Sequence, residues 1–209
     1  MAALGFDALI DEVNDRGFNH LSDTRLGRYV NQEYYEICAA DRWPFLYTTE
    51  TGAPPKTTTA TIHAVDSVID TTNKKRLQYL SRSNLLDIDT DLTTTGNPVY
   101  WYISEATTDT TIVNVYPANT GVSLSINFYK QPTILSGTNA HILPIRFENL
   151  IVDGACIRAY KDSDDFDSAA ALQQFYDQDL MAMRQEFIRN WDNTEYVVNT
   201  QTYDAGGLS

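Results

Sequence analysis

Basic charge is what this chain has least of. Its 209 residues carry 15 Lys/Arg against 28 Asp/Glu, a formal charge of −13. That excludes wrapping DNA, because groove or backbone binding needs a basic face. It leaves open a surface that DNA passes without adhering. Long hydrophobic runs are missing too: no segment approaches the roughly 18–20 apolar residues that span a bilayer. The first residues, MAALGFDALIDEVNDR, place acids where a signal peptide needs a basic start and an apolar centre. A protein made in a cytoplasm, with no membrane association, is expected. The two cysteines, Cys38 and Cys156, sit beside apolar residues in helical patterns and read as buried free thiols, with no low-pKa setting for a nucleophile. The three histidines, His20, His63 and His141, have no partner at metal-ligand spacing. No glycine-rich phosphate loop is present, since Gly206-Gly207 precedes no helix. Carboxylate pairs of glycosidase type are too numerous for spacing to select one. The chain is therefore read as a non-enzyme, with no catalytic, metal or cofactor residue assigned.

What is there is divided by region. Residues 1–50 hold 4 Lys/Arg and 9 Asp/Glu, residues 51–140 hold 6 and 7, and residues 141–209 hold 5 and 12. The acidic ends carry helical periodicity. Residues 3–15 place Phe6, Leu9, Ile10 and Val13 on one side, and Gly17 ends that helix. Ser22 reads as the N-cap of a second helix with Leu26, Tyr29, Val30, Tyr34, Ile37 and Cys38 at 3–4 spacing, stopped before Pro44. Pro144 suits the first position of a third helix, running to about Tyr160. The last helix repeats at Ala169, Leu172, Tyr176, Leu180, Met183 and Phe187. Asp162, Asp164, Asp165 and Asp167 precede it; they lack the glycine and glutamate of a calcium loop and read as solvated capping residues.

From Thr48 to Thr111 there are seventeen threonines, which suit strands. Strands are predicted at 58–70, 75–80, 98–105, 110–116 and 121–130, with a short helix at 83–87 and a hairpin loop at 117–121. Five such strands make a small barrel or sandwich. Tyr100-Trp101-Tyr102 put aromatics on both faces of one strand, which predicts cover on both sides. They also raise a rival reading, a carbohydrate- or receptor-binding module. The expected fold is α+β: an α-helical bundle built from both ends of the chain (1–47 and 140–190), with an inserted small antiparallel β-barrel or sandwich (48–139). Residues 191–209 form an extended C-terminal tail. This polar tail carries Trp191, Tyr196, Val197, Val198 and Tyr203, and reads either as a frayed terminus or as an arm that orders on a partner.

The residues Tyr34–Leu46 (YYEICAADRWPFL), Gly96–Ile103 (GNPVYWYI), Asn114–Pro117 (NVYP), Phe128–Pro132 and Leu143–Tyr160, in that order, resemble the head-to-tail adaptor (connector) proteins of tailed bacteriophages. The resemblance covers roughly residues 22–187. It implies a structural virion protein at the neck: a ring, typically of twelve copies, docked on the portal and extending the DNA channel towards tail or neck proteins such as a stopper, nozzle or tail tube. Family members commonly dock through an extended C-terminal segment, which assigns Trp191, Tyr196, Val197, Val198 and Tyr203 to portal binding. A ring gives the acidity a reason, because a negative lumen repels phosphate and lets double-stranded DNA pass unbound. Asp162, Asp164, Asp165 and Asp167 are the candidate lining acids. The plainer account of the charge is solubility of the free subunit.

Overall fold

A computed structural model describes the backbone of residues 3–107 and 110–203, and side chains up to residue 188. Two compact units are present, one formed by the chain up to Phe45 and from Pro132, the other by Leu46–Gln131.

In the first unit, helix α1 (Phe6–Val13) buries Leu9, Ile10 and Val13. It runs into a wider turn, Asn14–Phe18, that breaks at Gly17, whose φ of 107° is open to glycine and strained for other residues. The first N–H groups of α1, which have no partner within the helix, are met by the 136–140 turn: Phe6 N–H donates to Asn139 O and Asp7 N–H to Gly137 O, each at 3.1 Å. Helix α2 (Asp23–Ala40) buries the predicted stripe of Leu26, Tyr29, Val30, Tyr34, Ile37 and Cys38. Ser22 has the extended backbone of an N-cap but makes no side-chain cap bond. At the other end of α2, the fully buried Trp43 donates from Nε1 to the Ile37 carbonyl at 2.7 Å, meeting one of the last four orphan acceptors.

Helix α4 (Asn149–Asp162) is buried on almost every side, from Leu150 to Ile157 and again at Ala159. Its sequence NLIVDGACIRAY sets apolar residues on every side, the composition of a central helix touched by α1, α2 and the helix that follows it. Pro144 precedes a short 3-10 turn, Ile145–Phe147, so α4 itself begins later than predicted. Helix α5 (Phe166–Tyr203) has 38 residues. It is fixed to its own unit through Ala169, Tyr176 and Met183, all buried, and by an aromatic cluster in which Phe187 meets Phe45 and Phe147.

The second unit is a seven-stranded, nearly closed sheet in the order β1-β7-β3-β4-β5-β6-β2. Its strands are β1 (Tyr47–Gly52), β2 (Lys56–Thr57), β3 (Ile62–Asp70), β4 (Lys75–Tyr79), β5 (Tyr100–Ala106), β6 (Thr111–Tyr116) and β7 (Leu124–Lys130). The interior holds Val68, Leu77, Trp101, Val113, Val115, Val122, Leu124, Ile126 and Phe128. Leu124, Ile126 and Phe128, alternate residues of β7, thus form its inward face. On the outer face, Thr49 donates to Asn127 at 2.7 Å and Asn127 to Ser67 at 2.9 Å, a polar rung across β1, β7 and β3. Helix α3 (Arg82–Ile88), capped by the Ser81 hydroxyl, packs Leu85 onto Tyr102 and Tyr116. The aromatic strand is therefore covered twice: Trp101 faces the interior and Tyr102 faces α3.

The two end strands approach each other through the chain between them. Glu50 on β1 accepts from Thr59 N–H and hydroxyl at 2.9 and 2.7 Å and pairs with Lys56 of β2 at 3.2 Å. Burial alone would push the Glu50 carboxyl up, yet these Thr59 and Lys56 bonds hold it below the usual range. Next along the chain, Thr58 N–H donates to Thr111 O, Thr111 N–H donates to Thr58 Oγ1, and Ile62 N–H donates to Thr111 Oγ1. Gln131 N–H then donates to Thr61 O at 2.9 Å, so residues 58–62 lead from β6 across to β7.

The expected fold class is corrected on four points. The chain is a mixed α/β fold in which the helices do not make a bundle from both ends. By length alone α5, at about 57 Å, outruns α2 at about 27 Å and α4 at about 21 Å, so no common bundle can contain it. The sheet is not purely antiparallel, because β4 and β5 run parallel, and it includes β1 and β2, which the strand predictions omitted. The tail is not extended as far as Tyr203, where helical backbone continues α5. Nor is 117–121 a hairpin loop: β6 pairs with β5 and β2 while β7 pairs with β1 and β3, so the loop crosses the barrel end.

Thr58 and Thr111 are both about 1% exposed, so their bonds have no water to replace them. Thr58→Val, which keeps the shape and leaves the Thr111 N–H unpaired, is expected to cost about 1–3 kcal/mol, read as a lower denaturation midpoint at unchanged slope.

Candidate functional site

The most elaborate polar arrangement among the described residues lies where α2, α4 and α5 meet. Glu33 on α2 is only 6% exposed. Its Oε2 accepts from Arg158 Nε of α4 at 3.0 Å and its Oε1 from the Tyr176 hydroxyl of α5 at 2.5 Å. The other face of Arg158 meets Glu36 Oε2 at 2.6 Å. Space for Glu33 comes from Gly154: a Cβ there would strike the Glu33 side chain, lying 2.6 Å from Oε1 and closer still to Cγ and Cδ. Burial, then the adjacent Glu33 charge, push the Tyr176 hydroxyl far above its ordinary pKa, which keeps it a donor. Burial works against the Arg158 charge, but Glu33 and Glu36 outweigh it and raise its pKa. A cleft of about 210 Å³ opens beside this junction, lined also by Lys161 and Gln173. Further ion pairs tie the same unit: Arg16–Asp153, Arg25–Asp162, Arg146–Glu186 and Arg184–Asp41. These ion pairs are clamps between elements of the helical unit.

The predicted site residues take different places. Asp162 is engaged by Arg25, and Asp165 Oδ1 accepts the Ser168 N–H at 3.1 Å, capping α5. Asp164 makes the turn between helices at φ 58°, and Asp167 lies in the first turn of α5. All four lie at the surface within one stretch of chain. Trp191, Tyr196, Val197, Val198 and Tyr203 fall on the helical backbone of α5, and their side chains lie outside the described residues. Trp101 and Tyr102 are buried and Tyr100 is half-buried, so they offer no stacking platform for a sugar.

Among the described residues no group of three or more His, Cys, Asp or Glu is placed to hold a metal, and no helix is long and apolar enough to cross a membrane. His141 is buried with Nε2 at 3.2 Å from Glu148 Oε2, which also accepts the Leu4 N–H. Both cysteines are buried, and burial pushes Cys38 up to about 12 and Cys156 to about 11. Sequence reading missed the Glu33 junction. Its signal was a glycine inside an apolar helix, which spends helix propensity for no local reason. It missed as well the run Lys74-Lys75-Arg76 at a hairpin tip, the chain's one run of three cations.

Two measurements check this reading. Gly154→Ala gains about 1 kcal/mol of helix propensity, but overpacking against Glu33 is worth about 1–3 kcal/mol, so a net fall in Tm is expected. Neutral thiols at pH 8 predict that an aromatic disulfide reagent labels Cys38 and Cys156 only on unfolding; rapid native labelling of either contradicts the burial described.

No curated protein matches the chain. The family model described as SU10 adaptor protein matches residues 5–200, thus spanning both units and most of α5. The resemblance to phage head-to-tail adaptors read from Tyr34–Leu46, Gly96–Ile103 and Leu143–Tyr160 agrees with it. With a family model matched over residues 5–200, well over half of the chain, this chain belongs to the SU10 adaptor protein family.

Proposed function

We propose that this phage adaptor is a non-enzymatic virion component of the neck, assembled as a ring of copies, twelve by analogy with the head-to-tail adaptors it resembles. The ring docks on the portal, extends the DNA channel and offers an attachment surface to tail or neck proteins. The observation that carries the reading is the family match across residues 5–200. Charge supports it: at −13 per copy a ring would present a strongly negative wall, against which duplex DNA moves without finding a binding well. Asp162, Asp164, Asp165 and Asp167, exposed between α4 and α5, remain the candidates for that wall. The portal contact is assigned to the end of the chain, with Trp191, Tyr196, Val197, Val198 and Tyr203 as the apolar anchors of an otherwise polar segment.

Deleting residues 191–209 tests the docking. The full chain should co-sediment with assembled portal, and the truncated chain should remain in the supernatant while keeping its Tm. Unchanged portal binding by the truncated chain would sink the assignment. The isolated chain should be monomeric or weakly associating by light scattering; a stable ring without portal argues against docking-driven assembly.

A further inference from the structure

We propose that the β3–β4 hairpin tip is a preordered basic knob that docks on the carboxylate stripe of α1 in a second copy of this chain. Lys74, Lys75 and Arg76 are consecutive and exposed in a protein of net charge −13. Arg76 is drawn along its own hairpin, donating to the Asp66 carbonyl at 3.0 Å. Lys74 and Lys75 enter no ion pair among the described residues, whereas Lys56 and five arginines of the chain each have a carboxylate partner.

The tip is built to hold its shape. Asp70, about 1% exposed, accepts from Thr72 N–H and Asn73 N–H, each at 3.0 Å, and from Asn73 Nδ2 at 2.7 Å. Thr71 donates through both N–H and hydroxyl to Ser123 O, and Ser123 N–H donates to Thr72 Oγ1 at 2.9 Å. Lys74 sits at φ 53°, a region lysine rarely adopts, although glycine or asparagine would fill it with less strain. A tip whose backbone is already fixed loses little freedom when its cations meet a partner.

The partner's chemistry is written in the same chain. Asp7, Asp11, Glu12 and Asp15 are exposed on α1 and the turn after it, and none enters an ion pair among the described residues. Spacings of four place Asp7, Asp11 and Asp15 along one side, a stripe about 12 Å long. Two free lysines and a tethered arginine can neutralise only a few phosphates, and the remaining charge repels a duplex, so a carboxylate stripe suits the knob better. Knob and stripe are different patches, so the contact is heterologous and repeats head to tail, the geometry that closes rings. The inference rests on the ring reading for its partner, yet it is measured without portal, so its failure and that of portal docking are told apart.

The experiment is sedimentation velocity of the full chain across concentration and salt. The wild type should associate weakly at low ionic strength, and raising salt to about 0.5 M should weaken association about tenfold or more. K74E/K75E and D11K/D15K should each abolish it, with wild-type Tm confirming the fold. Mixing the two variants should restore association at one-to-one stoichiometry, because each variant's knob then meets a stripe of opposite charge on the other. Absent wild-type association, undiminished association of K74E/K75E, or no recovery on mixing overturns the proposal. So does duplex DNA binding that K74E/K75E removes while self-association persists, which would make the knob a phosphate contact.

Discussion

The buried Glu33 carboxylate is the constraint around which the helical unit is arranged. A charge this far from water has to be met by donors, and each donor comes from a different helix: Arg158 from α4 and Tyr176 from α5. The only way to bring α2 close enough is to remove the facing side chain, which is what Gly154 does. Apolar packing then follows from that approach. Leu150, Ile151, Ala155 and Ala159 are buried because α4 has been drawn in among its neighbours, and Ala169 and Met183 bring α5 alongside. An apolar interface of similar area would tolerate sliding by a turn. A carboxylate held at both oxygens does not, so the junction sets helix register.

The sheet unit solves a different problem, largely with threonine hydroxyls. Its threonines are not surplus strand formers: Thr58 and Thr111 exchange bonds at the seam, Thr59 engages Glu50, and Thr71 and Thr72 tether a hairpin to Ser123. Valine shares their shape and strand preference but could do none of this. The contrast between acidic helices and a threonine-rich sheet thus reflects two means of satisfying buried backbone and charge, chiefly ion pairs in one unit and chiefly hydroxyls in the other.

Periodicity made the locally determined parts legible. The buried stripe of α2, the inward set Val122, Leu124, Ile126 and Phe128, and the double cover of Tyr100–Tyr102 all follow from residue spacing against one nearby surface. Topology was not legible, since nothing in Pro117–Gly121 distinguishes a hairpin from a crossing, and β1 and β2 are made strands by partners more than seventy and more than fifty residues away. The length of α5 was missed because Asp192–Thr194 look like an ending in polarity alone, while helical backbone needs no apolar stripe to continue. Of the site, the aspartates at 162–167 were readable as capping residues, and Asp165 caps α5. Glu33 was not readable, because an acid inside an amphipathic stripe looks like any solvated position until a distant glycine makes room for it.

The seam closed by residues 58–62 has a bearing on life in an assembly. In the proposed ring, copies would stand side by side, where an open strand edge would be a template for unregulated strand addition. At that edge Glu50 engages the Thr59 N–H and the Thr58 hydroxyl the Thr111 N–H, which withdraws those two backbone donors from intermolecular pairing. In such a ring, recognition between copies would fall to side chains, whose charges can be counted and reversed, and a sheet could be crowded against its neighbours without fusing to them.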